Sequence, residues 1–534
     1  MASEAQVFTY QTRIVGDGEI LQACATLLSQ VERKLFADLK KSSASQLKSS
    51  YLKKFGITAR HFNAIRVQLE GKIASIRAKR TGQISEIQHR LKALSKQVAG
   101  LEKRAPQTQK LHQKKRYLFN LEKKLERLHT DQKQGRTRLC FGSKKLFRAQ
   151  FALADNQYAS HETWRAAWRA SRDTSFFLIG SKDETSGNQS CSATVAPDGS
   201  LNLRLRLPDS LNRGKYLNLP NIRFTYGHEQ ILKALTSSEK HKELKLAKSP
   251  LAQHFGVPIS YRFIRDAKSW RVFVSLPIEK APSKSSIQKG AIGLDLNANH
   301  LALVETDRFG NPLTKKSIPL NTYGKNQNQT KALIGDACAQ IIHFAQIRGK
   351  PLVIENLDFQ KKKSELKNTT PKLARMLSSL TYNSLKNSLK TRGFKQGIDV
   401  LEVNPAFTSV IGRVKFAKRY GLSIHQAAAL CIGRRQLQAS ERVPRQLDFI
   451  PDGKGNHVTL SLPVRNRDKH VWTTWGIINR KLKAVLAAHF RATRRSSSLA
   501  CEIKTNPKDC RRDSGTRIRQ HNCSVDVSKL IYKH

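Results

Sequence analysis

The chain has 534 residues, and its 96 Lys and Arg against 40 Asp and Glu give a formal net charge of +56. That length exceeds one compact core and implies roughly three to four domains. A chain this basic repels itself unless a polyanion neutralises it, so nucleic acid is the expected partner and a membrane surface the alternative; no window approaches the roughly 18 apolar residues of a membrane span, which excludes a spanning segment.

Val7-Phe8-Thr9-Tyr10-Gln11-Thr12-Arg13-Ile14 reads as an opening strand, β-branched and aromatic. A helical region follows. Ile84, Ile87, Leu91, Leu94, Val98 and Leu101 make a heptad seam, Pro106 breaks it, and Leu111, Leu118, Leu121, Leu125 and Leu128 resume it. Two amphipathic helices around one proline predict an antiparallel hairpin. Its outer faces carry Lys114, Lys115, Arg116, Lys123, Lys124 and Arg127, a solvated face or a nucleic-acid-facing one. Trp164-Arg165 and Trp168-Arg169 place aromatic and cation at helical spacing, either to stack on bases or to pack at a domain edge.

From about 175 to 285 the period changes to two. Leu201-Asn202-Leu203-Arg204-Leu205-Arg206-Leu207 alternates strictly, and Tyr261–Arg265 and Trp270–Val274 alternate too. That predicts an antiparallel β domain with one basic face. Ala281–Ser286 reads as a linker.

An α/β segment starts beyond it. Ala291–Asn297 is a short apolar run ending in Asp295. His300–Glu305 is the returning strand, and Asp307–Asn311 a turn. An amphipathic helix over 324–348 leads to Pro351–Leu357, a second buried strand ending in a carboxylate, Glu355, with Lys361-Lys362-Lys363 just after. Residues 371–392 read as helix and Ile398–Val403 as strand. Ser423 with Gln426 fits a capping box, so the last helix begins there with His425 in its first turn. Residues from about 491 read as a basic mobile tail.

Two carboxylates at the ends of neighbouring buried strands suit Mg²⁺, which needs hard oxygen ligands and little else from the protein. A pair of such ions about 4 Å apart can activate water and stabilise a leaving oxygen. Asp295 and Glu355 are the candidate catalytic and metal-binding pair. His425 is the third candidate, as ligand or as a packing or capping histidine, and imidazole favours softer ions, so Mn²⁺ is expected to serve as well. Asp468 is the alternative third ligand. Eight cysteines form no Cys-x-x-Cys, which indicates free thiols in a reducing compartment. Cys501, Cys510 and Cys523 with His521 match no standard zinc spacing. The start, Met1-Ala2-Ser3-Glu4-Ala5-Gln6, does not read as a secretory leader.

Gly293-Leu294-Asp295-Leu296 resembles the first RuvC motif of TnpB, the transposon-encoded RNA-guided nuclease, and of the type V CRISPR effectors. Val353–Leu357 resembles the second motif. Val403-Asn404-Pro405-Ala406-Phe407-Thr408-Ser409 is similar to the strand and turn ahead of the family's zinc ribbon. His425-Gln426-Ala427-Ala428-Ala429 aligns with the third motif, usually Asp-x-Asn-Ala-Ala. The likeness is specific over about 287–440. It departs twice: Val410–Lys415 stands where Cys-x-x-Cys is usual, so no zinc is expected, and His425 replaces an Asp.

The resemblance implies a multidomain α+β protein: a first wedge strand over 1–20, a helical recognition lobe over 21–172 inserted in an antiparallel β (wedge, OB-like) domain over 173–285, and an RNase H-like (RuvC) α/β domain over 286–490. It implies an RNA-guided DNA endonuclease using Mg²⁺ or Mn²⁺, with guide RNA and double-stranded DNA as partners, in a bacterial cytoplasm at the nucleoid. Hydrolysis would leave a 5′-phosphate. Expected nucleic-acid contacts are Lys114, Lys115, Arg116, Trp164, Arg165, Arg169, Lys361, Lys362 and Lys363. Two alternatives stay open: a cleavage-deficient RNA-guided DNA-binding protein, and a guide-free RNase H-fold nuclease or transposase.

Overall fold

The alternating segments form strands with their apolar positions turned inward. In the computed structural model, β1 (Ala5–Arg13) pairs antiparallel with β7 (Trp270–Glu279), β7 with β6 (Ser260–Arg265), and β6 with β2 (Ser175–Leu178). β3 (Cys191–Val195), β4 (Leu201–Arg206) and β5 (Tyr216–Ile222) make a second antiparallel sheet. In β4, Leu201, Leu203 and Leu205 are buried while Asn202 and Arg204 are exposed, as a period of two requires. The structure describes residues 5–39, 42–297, 299–357, 379–444, 449–453, 455–461, 463, 468 and 470–502.

Three helices cover these sheets: α1 (Gly18–Asp38), α2 (Ala44–Phe55) and α3 (Ala59–Arg104). Leu21, Leu28, Leu35, Phe62 and Leu69 share one core with Leu203, Leu205, Phe263 and Val272. These helices share the core of the β unit, because each has an apolar stripe that the sheets bury. The outer half of α3 is different. There α4 (Gln109–Lys133) folds back beyond Pro106, and Ile87, Leu94 and Val98 meet Leu111 and Leu121 in a small core of their own. The predicted hairpin is present. Two short helices follow, α5 (Lys144–Ala149) and α6 (His161–Arg172), N-capped by the Ser143 and Ser160 hydroxyls. A helix that the alternating pattern did not announce, α7 (His228–Leu246), buries Ile231 and Leu235 in the same main core.

The chain forms two compact units, residues 5–282 with 394–397 and the remainder from 283. In the second unit β8 (Ile292–Leu296), β9 (His300–Thr306) and β10 (Pro312–Pro319) form a meander. β11 (Leu352–Glu355) and β12 (Val400–Val403) add on parallel to β8. The order is β10-β9-β8-β11-β12, with β9 alone running against the rest. That order and those directions are those of an RNase H-like sheet.

Both faces are covered, so the central strands are apolar throughout. On one face α8 (Gln327–Arg348) and α9 (Ser379–Gln396) pack Ile334, Ile341, Ile342, Leu385 and Leu389 onto Ile292, Leu294, Leu352 and Ile354. On the other, α11 (Ile424–Gln436) lies against the sheet, and a short helix α10 (Thr408–Ile411) packs on α11. α12 (Val471–Glu502) adds Trp475, Ile478 and Leu482 to that layer. α12 runs to Glu502, so residues assigned to the tail from 491 onward are helical that far.

Candidate functional site

Side-chain alternation decides which way the two carboxylates point. Ile292 and Leu294 of β8 lie in the core beneath α8, so Gly293 and Asp295 face α11. A Cβ on Gly293 would sit 1.9 Å from the Ala429 carbonyl oxygen, which fixes that orientation independently. In β11, Leu352 and Ile354 join the α8 core while Val353 packs with Ile432 of α11. Glu355 therefore shares the α11 face. The strands pair Val353 with Gly293 and Ile354 with Leu294, a register that brings Glu355 level with Asp295. Both carboxylates thus stand at the carboxyl ends of adjacent parallel strands, the end at which open α/β sheets bind ligands.

The helix on that face supplies the third group. The Ser423 hydroxyl accepts from the Gln426 N–H, and the Gln426 side chain accepts from the Ser423 N–H, a capping box that starts α11 where the sequence predicts. His425, in the first turn, brings Nδ1 to 3.2 Å from Asp295 Oδ2. Asn297 Nδ2 donates to the same oxygen at 3.0 Å. Asp295 is 9% exposed, so these two contacts hold a nearly buried carboxylate. The Thr408 hydroxyl donates to Glu355 Oε1, and the Tyr382 hydroxyl donates to the Glu355 carbonyl at 2.7 Å.

Electrostatics report the same cluster. The Tyr382 phenol is pushed up by burial first, then by the charges of Glu355, Glu402 and Asp295. His300, at the start of β9, sets its ring 4.9 Å from that of His425, edge to face. Burial first and then the neighbouring His425 lower its pKa, against an upward pull from Asp295. Asn297, His300, Tyr382 and Thr408 were not singled out in the sequence. The Asn404–Ser409 turn was a signal for Thr408; the others are brought in by tertiary register.

The donor set suits a hard divalent cation: two carboxylates at one edge, with an imidazole beside them. Asp295 and Glu355 are the residues that would hold it, with His425 next. Among the described residues no three His, Cys, Asp or Glu side chains converge as a metal-holding group. Asp468 has an exposed side chain in a turn ahead of α12, and the contact to Asp295 comes from His425.

The expected nucleic-acid residues fall mostly on the first unit. Lys114 bonds Gln97 at 2.6 Å and Lys115 pairs with Glu102 at 2.7 Å, both across the α3–α4 hairpin, while Arg116 is exposed. Trp164 is a correction. It is buried, and its indole N–H donates to the Leu146 carbonyl at 2.8 Å, so it locks α6 to α5 rather than offering a face to a base. Arg165 and Arg169 are exposed. Lys361, Lys362 and Lys363 lie outside the described residues, as do Cys510, His521 and Cys523, and nothing of the Cys501 side chain is described. The cysteines Cys24, Cys140, Cys191, Cys338 and Cys431 are free thiols. Among the described residues no helix is long and apolar enough to cross a membrane.

No protein-family model matches the chain, and no curated protein matches it. Solved structures do align. The Thermus thermophilus RuvC structure aligns at 13% identity over 28% of this chain and 96% of its own, with a TM-score of 0.21. A CRISPR-Cas12f ternary complex aligns at 11% identity over 81% of this chain and 100% of its own, TM-score 0.19. The Cas12i1 R-loop complex before target DNA cleavage aligns at 10% identity over 68% of this chain and 61% of its own, TM-score 0.27. These scores lie far below 0.5 and establish neither family nor activity; the strand order and the carboxylate pair stand without them.

Proposed function

We propose that the second unit is a metal-dependent endonuclease site of the RuvC kind, and that the chain is an RNA-guided DNA endonuclease. One observation supports this above the rest: Asp295 and Glu355 level with each other on adjacent parallel strands, with His425 delivered beside them by a helix N-terminus. A bound Mg²⁺ or Mn²⁺ supplies the positive charge that phosphodiester hydrolysis requires at the attacked phosphate. The chain's own residues position that chemistry. Asn297 and His425 both hold Oδ2 of Asp295, and Thr408 holds Glu355. The side chain of His425 is 47% exposed, so its ring faces solvent as well as Asp295. Asp468 is kept as the alternative third ligand.

The guide is supported by charge and motif. A net charge of +56 suits a protein that holds a structured RNA and a DNA target together, reading the heteroduplex by its backbone and A-form shape while base pairing chooses the sequence. Lys114, Lys115, Arg116, Arg165, Arg169 and Lys361–Lys363 are proposed backbone contacts.

The test starts with the RNA that co-purifies with the chain. One discrete species is expected, and its absence removes the guide. The ribonucleoprotein is then given matching DNA with Mg²⁺ or Mn²⁺. Cuts that vanish with Asp295→Ala support the enzyme. Cutting of DNA without any RNA supports a guide-free nuclease instead. DNA that is bound by its sequence yet left intact supports a second reading, a cleavage-deficient guided binder. That reading is favoured by His425 standing where the motif usually has Asp, and by the lack of three converging ligands among the described residues.

A further inference from the structure

The segment 142–172 carries a cluster of rings that the cleavage site does not use. Phe151 is 79% exposed and Phe147 43% exposed, unusual for large apolar side chains on a small helical pair. They meet edge to face at 6.5 Å. Phe147 lies 5.4 Å from the half-buried Trp168, which stacks at 6.3 Å and 9° on the buried Trp164. The exposed rings therefore rest on a fixed base: Trp164 is tied to Leu146, and the Arg172 guanidinium covers Trp168 at 5.3 Å. Gly142 keeps the chain close here, since a Cβ would meet Trp168 at 3.1 Å.

Charge says what covers these rings. The same stretch, 142–172, carries Lys144, Lys145, Arg148, Arg165, Arg169 and Arg172 against Asp155 and Glu162 alone. An apolar protein partner would have to bury those cations unpaired, at heavy desolvation cost. A nucleic-acid strand matches both features, because every base has a face to stack and every linkage a charge to neutralise.

We propose that Phe147 and Phe151, held from beneath by Trp168, form a stacking platform for unpaired bases of a single nucleic-acid strand, with Arg165 and Arg169 among its phosphate contacts. The platform stands independently of the cleavage site, since it uses neither Asp295 nor Glu355.

The test uses the full chain and a fifteen-nucleotide thymidine oligomer carrying one 5-iododeoxyuridine, at 300 mM salt to suppress binding elsewhere. Photocrosslinks are expected in the peptide spanning 142–172. Phe151→Ala should weaken binding by about tenfold, and Phe151→Tyr should restore it. The same melting temperature in both variants shows that the fold is intact, as expected for a side chain this exposed. Crosslinks only outside 142–172, or wild-type affinity in Phe151→Ala, would overturn the platform.

Discussion

Gly293→Ala is the sharpest probe of how the candidate site is held. The added methyl would lie 1.9 Å from the Ala429 oxygen and 2.7 Å from the Gly433 nitrogen, both backbone atoms of α11. Neither can rotate away as a side-chain tip can. To bring the first contact out to 3.4 Å, α11 must withdraw from β8 by about 1.5 Å. Overpacking of that kind costs about 3 kcal/mol. In a unit of about 200 residues this lowers the melting temperature by about 6–12 °C. The same withdrawal carries His425 beyond hydrogen-bond reach of Asp295, from its present 3.2 Å. A misplacement on that scale is expected to slow cleavage about 100-fold. The assay is a thermal melt beside a cleavage time course on matched DNA. Gly335→Ala is the control, since the nearest atom there is an Arg392 side-chain nitrogen at 3.8 Å. A Gly293→Ala protein that melts and cuts like the wild type would refute the close sheet–helix contact on which the site depends.

Three further outcomes are expected. His61 is buried, and its pKa is pushed down to about 4 by burial. Its Nδ1 accepts from the Thr58 N–H and its Nε2–H donates to the Arg206 carbonyl, so the neutral ring is the one that fits. A depressed histidine contributes stability that is intact above its unfolded pKa near 6.5 and is lost as pH falls toward 4. Urea denaturation should thus show about 2 kcal/mol less stability at pH 5 than at pH 7.5, and His61→Gln should remove most of that difference; an unchanged pH profile in the variant would contradict it. Thr408→Val should keep the fold but slow cleavage about tenfold by removing the hydroxyl that donates to the Glu355 carboxylate, and a wild-type rate would show that the hydroxyl positions nothing. Gly100 lies within α3 with no atom within 4 Å of an added Cβ, so Gly100→Ala should stabilise the hairpin by about 0.5–1 kcal/mol in a melt, and a loss of stability would show a contact the structure does not contain.

The carboxylate pair was legible because a buried strand that ends in an acid is rare against an apolar run, and because β8 and β11 are short enough to leave that acid at the sheet edge. His425 was legible through the Ser423–Gln426 capping box, a purely local signal. Asn297 stands just past β8, and only the hairpin turn brings its amide onto Asp295. His300 and Tyr382 reach the site through strand register and helix docking, which no local pattern encodes. Trp164 and Trp168 show a different limit: helical spacing put both on one face, but which ring is covered depends on α5, whose Leu146 carbonyl takes the Trp164 indole. The apolar stripe of α1 and the first half of α3 reads the same whether it faces another helix or a sheet, and here it faces the sheets.

Cation binding is the most direct measurement of whether Asp295 and Glu355 act together. Mn²⁺ titrated into the purified chain and followed by electron paramagnetic resonance should show a site in the wild type that is lost in both Asp295→Ala and Glu355→Ala. Equal Mn²⁺ binding by all three proteins would contradict the shared carboxylate site and the nuclease built on it.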